Sequence, residues 1–199
     1  MKTRLHSILM SAALLALLPL GAMAQSTFSV FAPKTGLADG WKTGAWSGPV
    51  ANEIQGADKG TTILEISLKG DAQPFAGVIL SANAGSGVDL TDKLRQTGVV
   101  VINFKPGKNA QGEAAAVSQP LQLALSFLTK DGETVHGGFN TQAVITTAAT
   151  GTSVSFTVPA SIKGAKAPEQ LASISMVRLQ YVGAPEAGFN IVDCTIKSE

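Results

Sequence analysis

Residues 121–128 read Leu-Gln-Leu-Ala-Leu-Ser-Phe-Leu, with a large apolar side chain at every other position from Leu121 to Phe127 and Gln122, Ala124 and Ser126 between them. Successive side chains along a β-strand point to opposite faces, so this spelling buries one face and wets the other. A helix would spread the same residues around its circumference. The pattern recurs. Val154, Phe156 and Val158 alternate with Ser153, Ser155 and Thr157, and Val177, Leu179 and Tyr181 alternate with Arg178 and Gln180. Alternation of this kind marks antiparallel strands that meet a core on one side only. Val99–Phe104 is more uniformly apolar and reads as a central strand.

The same reading places strands at Thr27–Ala32, Thr61–Leu68, Phe75–Ser81, Thr97–Lys105, Leu121–Thr129, Gln142–Thr147, Thr152–Val158, Ser173–Val182 and Phe189–Lys197. Turn residues separate them: Lys130-Asp131-Gly132-Glu133, Asn83-Ala84-Gly85-Ser86-Gly87 and Pro106-Gly107-Lys108-Asn109, where Gly and Asn or Asp supply positive φ. Gln111–Ala116 reads as a helix or loop, and Lys163–Leu171 has room for one helical turn starting at Pro168. No repeat or linker divides the chain. The expectation is an all-β, antiparallel β-sandwich in one domain over residues 25–199, with a closed barrel as the alternative that alternation alone does not separate.

Residues 1–24 read as a signal peptide. Lys2 and Arg4 precede an apolar run from Ile8 to Leu20, and Ala22-Met23-Ala24 supplies small residues for cleavage. Cleavage after Ala24 would leave Gln25 first, and the expected location is periplasmic or secreted. Loss of Lys2 and Arg4 takes the basic residues from 15 to 13 against 14 acidic ones, a net charge of −1. Such a surface steers phosphates and anionic lipid weakly. No basic cluster supports a nucleic-acid partner, no membrane association is expected once the signal is removed, and the ligand is expected to be neutral or weakly charged. A single cysteine, Cys194, rules out a disulfide scaffold and reads as a buried strand thiol.

The order of several segments resembles the galactose-binding-like jelly rolls, which include carbohydrate-binding modules of secreted polysaccharide-degrading systems. Trp41 and Trp46 lie in what reads as an early loop. Leu64-Glu65-Ile66-Ser67-Leu68 follows, then Gln73-Pro74-Phe75-Ala76-Gly77-Val78-Ile79-Leu80, similar to the family's aromatic-Ala-Gly-apolar strand. Val88-Asp89-Leu90-Thr91 resembles the lead-in to the central strand, and Val158-Pro159-Ala160 a strand exit. Leu171–Ile174, Gln180-Tyr181 and Asn190–Ile196 resemble the paired closing strands. Phe75 stands where the family usually has Trp, and Cys194 where it usually has Asn. The resemblance implies binding of an oligo- or polysaccharide without catalysis. It also implies a possible structural calcium ion, with Asp193 at the late position and Asp39 at the early one; no other cofactor is expected.

Sugars present apolar C–H faces ringed by hydroxyls, so a site for them needs exposed aromatic rings and convergent amide, hydroxyl or guanidinium groups. Trp41 and Trp46 stand among Gly40, Gly44, Gly48 and Pro49, too few neighbours to bury two indoles; one is expected to plug the sandwich and the other to meet ligand. Phe75 is the third aromatic candidate. Asn103 with Lys105, Gln122 with Ser126, and Arg178 with Gln180 all lie opposite core-facing neighbours and would form one polar surface if their strands were adjacent. Arg178 leads this set, because its planar fork can bridge two hydroxyls. Tyr181 reads as core.

Enzymatic readings have little to stand on. His136 is the only histidine after the signal and reads as a loop residue; no nucleophile elbow, phosphate loop or zinc-helix motif is present. Glu53, Glu65 and Asp71 are the candidate carboxylates for a glycan hydrolase, and His136 and Tyr181 the candidate bases for a lyase, with no motif joining them. The chain is therefore expected not to be an enzyme. The rival reading is a structural sandwich of the cell envelope that binds a protein, such as an envelope component or a separate enzyme.

Overall fold

Where β-branched and aromatic residues alternate with polar ones, the chain forms strands, and glycines turn it between them. The structure, a computed structural model, describes residues 27–70, 72–114, 120–137, 140–146, 152–155 and 168–199. The expected signal peptide, Asp71 and most of the Lys163–Leu171 segment lie outside these residues. In order come β1 (Thr27–Ala32), β2 (Gly36–Leu37), β3 (Trp41–Trp46), β4 (Pro49–Gln55), β5 (Thr62–Leu68), β6 (Gly77–Ala82) and β7 (Val88–Asp89). A short helix α1 (Asp92–Thr97) precedes β8 (Gly98–Asn109), β9 (Pro120–Thr129), β10 (Thr134–His136), β11 (Asn140–Thr146) and β12 (Thr152–Ser155). A 3₁₀ turn, Pro168–Gln170, leads into β13 (Leu171–Tyr181), and β14 (Ala187–Ser198) closes the fold.

The strands make two antiparallel sheets, and the fold is the jelly-roll sandwich expected above. The back sheet runs β12-β8-β14-β1-β2, with β5 also on β14 and β4 on β5. Its spine is β14. One edge pairs with β8 along its length, while the other pairs with β5 at Phe189–Ile191 and with β1 at Cys194–Lys197. The front sheet runs β10-β9-β13-β6-β3, with β11 also on β9 and β7 also on β13. Two separate sheets exclude the closed barrel.

The apolar faces meet between the layers. Leu121, Leu123, Leu125 and Phe127 of β9, Val177, Leu179 and Tyr181 of β13, and Val78 and Leu80 of β6 are buried from the front. Leu64, Ile66, Val100, Ile102, Phe104, Phe189, Ile191, Cys194 and Ile196 are buried from the back. Burial of a side chain of this size contributes roughly 1.5–3 kcal/mol. Tyr181 binds the layers together. Its ring meets Phe189 edge-on at 5.7 Å, Phe189 meets Phe104 at 5.6 Å, and its hydroxyl donates to the Ala187 carbonyl at 3.1 Å.

Four readings need correction. Pro106-Gly107-Lys108-Asn109 is not a turn: it continues strand β8, where Pro106 pairs with Phe189 and Asn109 with Ala187. Trp41–Trp46 is strand β3, not a loop: it forms the front-sheet edge beside β6, where a glycine is tolerated. His136 lies on β10, not in a loop. Asn103 does not join Gln122 and Arg178, because β8 belongs to the back sheet. The chain changes sheets between β7 and β8 and again between β8 and β9, so an outward residue on β8 faces the opposite side of the molecule.

Candidate functional site

Cross-strand partners share a face, so the register sorts the front sheet's outward residues into rows. The first row is Trp46 on β3, Gly77 on β6, Gln180 on β13 and Gln122 on β9. The second is Gly44, Ile79, Arg178 and Ala124. The third is Lys42, Ser81, Met176, Ser126 and His136 of β10. Strands about 4.8 Å apart make the first row about 14 Å long, and two residues of rise set neighbouring rows about 6.8 Å apart.

The first row is built around an aromatic corner. Gly77 lacks a side chain because the Trp46 indole lies over it: a Cβ there would collide with Cζ2 and Cη2 of the ring and with the Leu179 carbonyl. The indole Nε1 donates to the Phe75 carbonyl at 2.9 Å, and Gln180 Nε2 donates to the same oxygen at 3.0 Å. Phe75 has a positive φ of 62° in a turn closed by Ala76 N donating to the Gln73 carbonyl at 3.1 Å. Its own N–H donates to the Gly183 carbonyl at 3.0 Å. These bonds hold the backbone while the ring stands 57% exposed. Val182, 37% exposed, belongs to the same rim through Gly183, and these two are the exposed large hydrophobics among the described residues. Apolar groups gathered at one rim mark a binding surface better than apolar groups scattered singly.

Polar groups extend from that corner. Gln122 is half-buried and its side chain makes no hydrogen bond among the described residues. The Arg178 guanidinium donates from Nη2 to the Gly137 carbonyl. Gly137 follows β10, beyond β9, so the arginine crosses β9 where its cross-strand partner is the small Ala124. Burial lowers the guanidinium pKa from its ordinary value, but arginine stays charged in proteins.

Five of the sequence-derived residues thus share one outer face: Trp46, Phe75, Gln122, Arg178 and Gln180. Two do not. Trp41 is buried in the core, where its indole lies 6.0 Å from Phe28 and Nε1 donates to the Ser86 carbonyl at 2.9 Å. Its cross-strand partner is Ala82, and five residues on from an inward indole an alternating strand faces outward at Trp46. Asn103 donates to the Asp193 carboxylate at 2.6 Å on the back sheet. Val182 was not singled out from sequence; its place beside Phe75 comes from a contact between distant loops.

One further close polar contact lies on this face. Ser126 and His136 approach to 2.8 Å between Oγ and Nδ1, yet Ser126 is fully buried and no carboxylate occupies the three rows to complete a triad. Of the two acids implied for a calcium ion, the late one, Asp193, lies on the outer side of the back sheet. Asp193 is engaged by Asn103, and no group of three or more His, Cys, Asp or Glu among the described residues converges on a metal position. A separate open cleft of about 670 Å³, lined by Leu90, Asp92, Arg95, Lys130, Glu169 and Leu171 among others, has no aromatic residue among its described lining.

Neither a protein-family model nor a curated protein sequence matches the chain. Solved structures do. Carbohydrate-binding modules share this fold. The solution structure of CtCBM11 superposes with a TM-score of 0.54 at 11% identity, over 89% of this chain and 98% of that one. A family 11 carbohydrate-binding module from Clostridium thermocellum, in complex with a β-1,3-1,4-mixed-linked tetrasaccharide, superposes at 0.50 with 9% identity, over 85% and 94%. In a Clostridium thermocellum xylanase 10B structure containing CBM22-1 and GH10 modules, complexed with xylohexaose, the match has a TM-score of 0.47 and 12% identity. It covers 86% of this chain but only 28% of that one. At these identities the likeness is one of fold.

Proposed function

We propose that this chain is an exported, non-catalytic carbohydrate-binding protein whose front-sheet face holds a neutral oligo- or polysaccharide. The observation that carries this reading is the gathering of Trp46, Phe75, Gln180, Gln122 and Arg178 on one rigid outer face. The rings offer apolar faces to sugar C–H groups, and the amides supply donors and acceptors for hydroxyls. Because the strands hold these groups in place, little ordering entropy is lost on binding. The shared fold with carbohydrate-binding modules, one of them with a tetrasaccharide bound, supports the reading.

Affinity electrophoresis against a panel of soluble glycans tests it. Retardation by at least one glycan is expected, and Trp46→Ala should abolish it while leaving the fold intact. No retardation by any glycan would overturn the reading. Export is tested by cell fractionation with N-terminal sequencing: a chain beginning at Gln25 outside the cytoplasm is expected, and an unprocessed cytoplasmic chain would refute it.

A further inference from the structure

We infer that Gln180 sets which glycans the front-sheet rim accepts: its amide oxygen is a fixed acceptor, so the sugar at the Trp46–Phe75 corner must bring a free hydroxyl to it. The inference rests on the proposed glycan-binding reading. It adds the residue that selects the ligand and the class selected, polysaccharides whose hydroxyls are uncapped. The orientation of the amide follows from its partner. The Gln180 side chain meets the Phe75 carbonyl oxygen at 3.0 Å. A carbonyl oxygen only accepts, so the end of the amide that meets it is the nitrogen, and the oxygen is the end left over. The same carbonyl accepts from Trp46 Nε1 at 2.9 Å, and an indole has no other N–H to offer a sugar. Both lone pairs of the Phe75 oxygen are thereby engaged. Gln180 Oε1 has no hydrogen-bond partner among the described residues, on a side chain that the fold leaves part-exposed.

The anchor carbonyl is itself held. Phe75 N donates to the Gly183 carbonyl at 3.0 Å and Ala76 N to the Gln73 carbonyl at 3.1 Å. Gln73 N donates to the Ser47 carbonyl at 2.9 Å, and Tyr181 N, next to Gln180, to the Ala76 carbonyl at 2.9 Å. The turn that carries Phe75 is thus tied to the ends of both β3 and β13. An acceptor fixed this way meets a donor with little loss of entropy. A site built to hydrogen-bond a hydroxyl disfavours the analogue that lacks it. Gln122, the cross-strand partner of Gln180, has no such anchor among the described residues and can turn either end of its amide toward a ligand.

Selection falls to this row because the face closes beyond it. Arg178, two residues back along β13, spends Nη2 on the Gly137 carbonyl across β9. Ala124 and Ser126 of β9 are buried there. A sugar is left with the rim, where Trp46, Phe75 and Val182 supply apolar surface and the two glutamines supply the amides.

Affinity electrophoresis of the mature chain decides the matter with four neutral polymers: xylan, mixed-linked β-glucan, galactomannan and amylose, each native and O-methylated. Methylation keeps every sugar oxygen as an acceptor and removes the hydroxyl donors. Any polymer that binds should bind more tightly in its native form. Gln180→Met, of similar length but without the amide, should weaken the native form by about two- to tenfold, the range for one hydrogen bond, and the methylated form less. Gln180→Lys keeps a donor for the Phe75 carbonyl and has no acceptor, so it should narrow the gap between native and methylated forms with the corner still anchored. A side chain that only steadied Phe75 would behave differently: Gln180→Met would weaken both forms alike, and Gln180→Lys would leave the gap unchanged. Either result would overturn the inference, as would equal affinity of the parent for native and methylated forms, and each would leave glycan binding standing. Binding of none of the native polymers would remove the glycan-binding reading as well.

Discussion

A residue with a Cβ at φ 62° clashes with its own backbone, and the left-handed conformation costs about 1–2 kcal/mol relative to the right-handed one. Phe75 bears that cost and recovers little by packing, since its ring is largely exposed. Strain of this sort clusters at functional positions. Phe75→Gly should therefore raise the unfolding free energy by up to about 1 kcal/mol while weakening glycan binding. Denaturant unfolding and calorimetry on the same variant read both quantities. Lower stability with unchanged affinity would show instead that the ring is a packing residue. Gln73-Pro74-Phe75 was legible as the approach to a strand. The positive φ was not, because proline before phenylalanine is equally compatible with extended chain.

Strand β3 shows how an element can be hidden by its own composition. Gly40, Gly44 and Gly48 around Trp41–Trp46 spell a loop, yet the three play different parts in the folded chain. Gly40 and Gly48 have φ of 75° and 120° and turn the chain at either end. Gly44 lies mid-strand on the outer face with open space around it; a Cβ there would meet Ile79 at an ordinary 3.9 Å. Gly44→Ala should change stability by no more than about 0.5 kcal/mol. Gly77→Ala, on the neighbouring strand, should destabilise by about 1–3 kcal/mol, because the added methyl meets both the indole of Trp46 and the Leu179 carbonyl. It should also shift the tryptophan emission, since Trp41 and Trp46 are the two emitters. An unchanged spectrum would mean that Trp46 does not rest on Gly77. The long strands β9, β13 and β14 were legible to within two residues at each end, because their apolar faces alternate over most of their length and the one glycine in them, Gly188, lies at the start of β14. The helix α1, capped by Thr91 accepting from Leu94 N at 3.2 Å, was not, being six residues long.

At the scale of the molecule, stability depends on groups that must stay neutral between the sheets. Burial raises the Tyr181 pKa far above its ordinary value, and burial followed by the Asp193 charge does the same for Cys194. Each favours the protonated form in the folded state. Their contribution is fully present below the unfolded-state values and is lost progressively as pH climbs above about 8.5 for cysteine and about 10 for tyrosine. Unfolding monitored from pH 7 to 11 should show falling stability over this window. Tyr181→Phe should flatten the fall above about pH 10, at a cost of roughly 1 kcal/mol for the Ala187 carbonyl left unpaired. A variant that falls as steeply as the parent would contradict the account. Alternation at period two depends only on local chain geometry, so the linear order of residues sufficed to establish strands, their buried faces, the core role of Tyr181 and the all-β class. Partnership between strands is nonlocal. Most connections cross between the layers, and nothing in the spelling of β8 tells which sheet it joins. Folding therefore took Asn103 to the back, turned Trp41 inward and Trp46 outward, and brought Phe75 and Val182 to one rim, because each outcome depends on pairing between segments far apart in the chain.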